Sequence, residues 1–279
     1  MPGGVAERAP AFAALALLRR IAALAILCVL FCVRPVQAFD HTHAEWTALV
    51  ARHVSLLDEG RASRLSYAGM ARERARLRAY LDALSAVTEA EFAAWPRARR
   101  LAFLLNGYNA FTVEKVLTRH PGLRSIRDFG RVFGNPWKDR FFRLLGRPES
   151  LDGIEHGLIR APGAYDEPRI HFAANCASIG CPMLREEAYV AERLDAQLED
   201  QVRRFLSDRS RNRIAGGVLE ISRIFDWYGD DFAAAGGVQA WLATRAGWLS
   251  DVEAERAALR AGRLKIAYLP YDWALNDAP

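Results

Sequence analysis

The sequence predicts an α+β protein, a helix-rich single domain packed around a small, mainly antiparallel sheet. Two observations carry this. Apolar residues recur at helical spacing through the first half of the chain, as in Trp46, Leu49, Val50, Val54 and Leu57. The later half interleaves short β-patterned runs with turns, such as Arg213 to Ser222 around Gly216-Gly217, and Lys265 to Leu269. Helices first and strands interspersed later argue for α+β.

Taken in order, 44–58 reads as an amphipathic helix and 70–85 as a second, with Leu77, Tyr80, Leu81 and Leu84 on one face. Thr88 and Glu91 form a capping box for a short helix around Phe92. Pro96 suits the first turn of a longer helix running to about Arg119, stopped by His120-Pro121-Gly122. A long ordered loop follows over 123–150, with one short strand near Phe142 to Leu145, and Ser150 opens a short helix through Arg160. Arg169 to Asn175 is a strand candidate. A charged helix runs from about Arg185 to Leu206, burying Leu194, Leu198, Val202 and Phe205. Arg213 to Ser222 is a hairpin, 238–260 is helical, and Lys265 to Leu269 is a final strand.

The N-terminus reads as an export signal. Ile21 to Val33 is an uncharged apolar run behind Arg19-Arg20, and it ends in the small-x-small exit Val36-Gln37-Ala38. These 13 residues fall short of the about 20 that span a bilayer. The expected division is therefore a signal peptide over 1–38 and one domain over 39–279, working in the periplasm or secreted, with no stable membrane insertion after cleavage. Removing 1–38 takes away Arg8, Arg19, Arg20, Arg34 and Glu7, which leaves 34 basic and 32 acidic residues, a net charge of +2. A nucleic-acid partner is not expected at that balance. The remaining chain is long enough for one large domain, and it carries no repeat or low-complexity tract.

Three segments carry chemistry. The apolar stretch 101–117 should be largely buried, yet it holds Asn106 and Asn109 three residues apart on one side. Those amides either tie down neighbouring loops or line a site, with Gly107 letting another backbone or a ligand approach closely. The second segment, Leu151 to Arg160, sets Glu155 and His156 inside an apolar pattern. The third, Pro168 to Pro182, holds both cysteines of the mature chain, Cys176 and Cys181, together with His171. Cys181-Pro182 would sit just ahead of the charged helix, whose N-terminus lowers a thiol's pKa.

Three readings of this segment stay open. The cysteines form a structural disulfide, which an oxidising compartment permits. Alternatively, one of them is a nucleophile or redox thiol activated by His171 or His156. Metal binding by His171 and both cysteines is the third, but the segment lacks paired Cys-x-x-Cys spacing, so no metal or other cofactor is expected. If 171–176 were extended, His171 and Cys176 would lie about 16 Å apart on opposite faces, so direct contact needs a turn after Asn175.

The pieces LLNGYNAFTVEKVL (104–117), LDGIEHGLIR, EPRIHFAANCASIGCP, IFDWYGDDF (224–232) and YDWALN (271–276) resemble the family catalogued as domain of unknown function 547. In order and spacing the resemblance covers most of 92–276. It implies that Asn106, Asn109, Glu155, His156, His171, Cys176 and Cys181 occupy the family's motif positions, and it supplies no reaction. Members of that family also occur alongside glutaredoxin-like domains, which tilts toward thiol chemistry. Asp226 and Asp272 read as acids within aromatic core anchors, and Asp272 is also a candidate to orient a histidine.

The expectation is an exported thiol-dependent hydrolase or transferase acting on a small-molecule or peptide substrate. Cys176 is its nucleophile, His171 or His156 its base, and Glu155 a further catalytic candidate. Asn106, Asn109 and Cys181 are the substrate-binding candidates. The alternatives are a thiol–disulfide redox protein using Cys176/Cys181 and a disulfide-stapled, non-catalytic binding module. The oligomeric state is not legible.

Overall fold

The helix Arg97–Leu117 organises the chain. Its sequence is apolar on nearly every side, and 16 of its 21 residues are buried. This is a computed structural model, and it describes residues 38–130 and 134–278. All of these residues but Ala38 fall in one unit, Phe39–Pro279. The export-signal segment lies outside the described residues, apart from Ala38 at its end.

Four helices pack before or against the central one: Ala44–His53, Tyr67–Arg72, Arg74–Ala86 and Glu89–Ala94. The helix expected over 44–58 stops at His53, because Val54–Leu57 turns back and pairs antiparallel with Ala62–Leu65. The helix expected over 70–85 is two helices that meet at Glu73. That carboxylate is held by Arg52, His53 and Arg76 at 2.8, 2.6 and 2.8 Å, which fixes the break. Thr88 caps the next helix, its hydroxyl accepting from the Glu91 amide at 3.1 Å. Pro96 takes the cap position, just outside the central helix.

The strands are divided over three small sheets. Phe142–Leu144 pairs antiparallel with Arg147–Glu149. Val218–Ser222 pairs antiparallel with Arg213–Ala215 on one side and parallel with Lys265–Leu269 on the other. Most pairing is antiparallel and most of the core is helical, so the fold is a helix-rich α+β domain.

Three local expectations are corrected. Arg169 to Asn175 is not a strand: Pro168–Phe172 forms a 3-10 turn, with Pro168 in its first turn and the Glu167 carboxylate accepting from the Arg169 amide. Local capping there outweighs β propensity. The charged helix is Leu194–Leu206 and does not begin at Arg185. Residues 185–190 stay non-helical because side chains claim their backbone: Gln197 bonds the Val190 amide and the Ala188 carbonyl, and Asn106 bonds Tyr189. The stretch 238–260 is three short helices, Val238–Ala243, Ala246–Leu249 and Glu253–Arg260, with the Ser250 hydroxyl accepting from the Val252 amide at the last break.

Burial divides into two apolar clusters. One surrounds the central helix and includes Phe103, Tyr108, Val113 and Leu184. The other gathers Phe172, Phe205, Phe225, Phe232 and Trp241 around the three-stranded sheet. Ile170 and Ala173 belong to the first cluster and Phe172 to the second, so the segment leading to Cys176 runs along the seam.

Candidate functional site

Cys176 and Cys181 form a disulfide with their Cα atoms 6.1 Å apart. Backbone contacts shape its loop. Asn175 donates its amide to Asn109 Oδ1 (2.8 Å) and its side chain to the Pro182 carbonyl (2.8 Å), and it accepts from the Ala177 amide (3.0 Å). Ala177 then takes φ +63°, a left-handed geometry unusual for a residue with a Cβ. This is the turn after Asn175 that contact between His171 and Cys176 requires. Gly180 is needed for close approach, since a Cβ there would lie 2.9 Å from the Asp272 nitrogen. The Ile179 and Gly180 amides donate to the Ala274 and Asp272 carbonyls, both at 2.8 Å, so the C-terminal segment clamps the loop.

A cavity of about 230 Å³ opens beside this loop, at the seam between the two apolar clusters. Cys176, Cys181, Glu155, His156 and His171 all line it. Glu155 arrives on the π-helical turn Gly153–Ile159, whose wider winding replaces the regular short helix expected there. Its Oε1 accepts from the Tyr228 hydroxyl at 2.6 Å. Burial raises the Tyr228 phenol well above its ordinary range, and the charge of Glu155 adds to this. Tyr228 is therefore a protonated donor at neutral pH.

His171 is buried, stacked on the Tyr228 ring at 3.9 Å, with Nε2 2.6 Å from Asp231 Oδ2. Arg160 grips the same carboxylate through two bonds, at 2.6 and 2.8 Å. Burial pushes the His171 pKa down, and the Asp231 bond offsets this only in part. Burial alone would raise the Asp231 carboxyl, but the bonds from His171 and Arg160 hold it well below the usual range. The permanent charge of Arg160 keeps Asp231 ionised, while the imidazole stays neutral and donates through Nε2, which leaves Nδ1 as its basic atom. Arg160 also donates to His156 Nδ1 at 2.6 Å. That bond occupies the His156 Nδ1, whereas His171 Nδ1 has no hydrogen-bond partner among the described residues.

Cys176 is partly exposed and Cys181 is buried. Around Cys176 Sγ stand the Ser178 hydroxyl at 3.1 Å and the Tyr271 hydroxyl at 3.2 Å. Burial pushes the Tyr271 phenol up to about 12, against a lowering hydrogen bond from Ser178. The Cys176 amide donates to Cys181 Sγ at 2.9 Å.

Several site expectations change. Cys176 is bridged, so it acts as a nucleophile only after reduction. Asn106 and Asn109 lie away from the cavity lining, with both ends of each amide bonded to backbone. Asn106 holds Tyr189 (2.8 and 2.9 Å), and Asn109 holds Ala173 and Asn175 (3.0 and 2.8 Å). Each of them fastens a loop. Gly107 makes no close approach, because a Cβ there would meet only Leu84 at 3.9 Å. No helix N-terminus acts on the cysteines, since the following α-helix starts at Leu194. Asp272 does not orient a histidine; it accepts from the Ala274 amide at 2.8 Å. That part falls to Asp231, which sequence reasoning missed although it lies in the quoted IFDWYGDDF segment. Among the described residues no cluster of three or more His, Cys, Asp or Glu could hold a metal ion.

Fold and site together define a class, a helix-rich α+β protein with a disulfide in the wall of an aromatic cavity. The family model described as "Protein of unknown function, DUF547" matches residues 92–206, so this stretch of the chain is similar to that family. The match covers every predicted site residue and stops before Tyr228 and Tyr271, which line the cavity, and before Asp231, which bonds His171 from behind the lining. No curated protein and no solved structure matches the chain.

Proposed function

We propose that the protein, acting after export, is a thiol–disulfide exchange protein whose Cys176–Cys181 pair reacts with a thiol-bearing small molecule or peptide in the cavity. The observation that carries this is the position of the bridge. It lines a cavity, with Cys176 the accessible sulfur and Cys181 the buried one. A purely structural bridge has no need of that setting.

In the exchange, a substrate thiolate attacks Cys176 Sγ. The Cys176–Cys181 bond breaks, and its electron pair leaves on Cys181 Sγ, which takes up a proton. The Cys176 amide 2.9 Å away stabilises that departing sulfur. A second substrate thiolate then attacks the substrate sulfur of the mixed disulfide and releases Cys176 as a thiolate beside the Ser178 and Tyr271 hydroxyls. Two substrate thiols become one disulfide, and the protein disulfide becomes a dithiol.

Equilibration of the purified protein in thiol buffers, followed by alkylation and mass spectrometry, tests this. A reversible potential above about −300 mV is expected. A bridge that stays closed in much stronger reductant, and whose loss only lowers the melting temperature, overturns it in favour of the stapled binding module.

One observation favours a second reading, the bond to Asp231 made by His171, which lines the same cavity. After reduction, His171 Nδ1 would take the Cys176 proton and the thiolate would attack a carbonyl, as in a hydrolase or transferase. In that case His171→Ala slows alkylation of reduced Cys176 at neutral pH but not at pH 10. Equal rates in both proteins at both pH values exclude it.

A further inference from the structure

The rim of the cavity is built from aromatic rings. Trp227 lies 4.9 Å from Tyr271 and 5.7 Å from Trp273, and Tyr271 lies 4.5 Å from Trp273, measured between ring centroids. The interplanar angles of these pairs are 56°, 30° and 50°, so the three rings pack on one another at an incline, and all three line the cavity. Trp137 extends the rim, 5.9 Å from Trp273. Trp227 remains 45% exposed, among the largest apolar side chains that the fold leaves in water.

The polar lining has one sign. Asp152 and Glu155 face the cavity, and no Lys or Arg lines it among the described residues, although the chain has 38 of them. Glu155 is only 7% exposed, and its described partners are the Tyr108 and Tyr228 hydroxyls, with no ion pair. Arg160, whose charge reaches Glu155, is committed to Asp231 through two bonds. Burial keeps the His171 imidazole neutral, so it supplies no positive charge. Ring faces are the negative side of the aromatic quadrupole, and a low-dielectric pocket strengthens their attraction for a cation. One cation already uses this rim from outside, the Arg127 guanidinium 5.0 Å over the Trp273 ring.

We propose that this cavity binds an organic cation, an alkylated or quaternary ammonium group seated among Trp227, Tyr271 and Trp273 with Glu155 and Asp152 as its counter-charge. The inference deepens the exchange reading, because it gives the thiol substrate a cationic group. It rests on that reading only for the identity of the reacting partner. The binding itself needs no turnover and is measured on the oxidised protein, so either claim can fail alone.

The probes are choline and its neutral isostere 3,3-dimethylbutan-1-ol, titrated calorimetrically into the oxidised full-length domain. Choline should bind saturably and about tenfold or more tighter than the isostere. Trp273→Leu, which keeps an apolar wall but removes the ring, should weaken choline at least fivefold and leave the isostere within twofold. A choline-dependent rise in melting temperature of the unaltered protein gives a readout that needs no variant. Equal affinity for both probes would show an apolar pocket with no charge preference. Absence of saturable choline binding, with no melting shift, would also overturn the proposal.

Discussion

Asn106 and Asn109 offer a controlled pair of perturbations, because the same amide on the same helix holds two different loops. Asn106→Ala leaves the Tyr189 amide and carbonyl without their side-chain partner, and Asn109→Ala does the same to the Asn175 amide and the Ala173 carbonyl. Both asparagines are essentially solvent-free, at 0% and 2% exposure. An orphaned buried backbone group costs about 1–3 kcal/mol, so each variant, which orphans two, should lose about 2–6 kcal/mol. At about 2–4 °C per kcal/mol for a domain of this size, a loss of about 3 kcal/mol lowers the melting temperature by roughly 6–12 °C. The variants should then separate in function. Only Asn109 holds the segment entering Cys176, so only Asn109→Ala should change the rate of thiol exchange at the bridge, at a temperature where both variants are folded. Urea unfolding gives the stabilities, and quenched alkylation with mass spectrometry gives the rates. A loss below 1 kcal/mol in both variants, or equal changes in exchange rate, would refute the assignment of these amides as loop fasteners with distinct loads.

Two further predictions concern charge. His43 is buried against Tyr80, with Nδ1 2.7 Å from its hydroxyl, and burial lowers its pKa to about 4. The unfolded chain takes up that proton near pH 6.5 and the folded chain does not. The stabilisation is therefore complete above pH 6.5 and is lost as pH falls toward 4, by at most about 3 kcal/mol. Urea midpoints at pH 7 and 5 should differ, His43→Phe should remove most of the difference, and equal slopes in the two proteins would sink the claim. Asp231→Asn should cost about 1–2 kcal/mol once screening of a partly exposed carboxylate is allowed for. The Asp231 pKa is depressed on folding, so this stability is present above about pH 4 and is lost below it as the carboxylate protonates. The difference between wild type and Asp231→Asn, followed by thermal unfolding, should therefore shrink at low pH, and a constant difference down to pH 2 would be inconsistent with it.

The elements most legible in the sequence are those whose signal is local. The apolar run of the central helix, the Thr88 cap, and the strand Lys265–Leu269 each appear where the residues place them. The misplaced elements are those where distant side chains take over the backbone. Glu167 winds the expected strand near His171 into a 3-10 turn, and Gln197 and Asn106 hold 188–190 out of the helix that follows. Of the candidate site, the cysteines, Glu155, His156 and His171 were named from their own segments, and all five line one cavity. Asp231 was missed because its role exists only through a contact 60 residues away.

The sequence by itself determined the helix-rich α+β class, the likeness to a known family over 92–206, and five residues that line one cavity, because periodicity, turn residues and motif order are properties of neighbours along the chain. Only the tertiary structure decided that Cys176 is bridged, that Asp231 and not Asp272 orients His171, and that the buried asparagines fasten loops. Each of these depends on distance and direction between segments, set by the packing of two apolar clusters against one another.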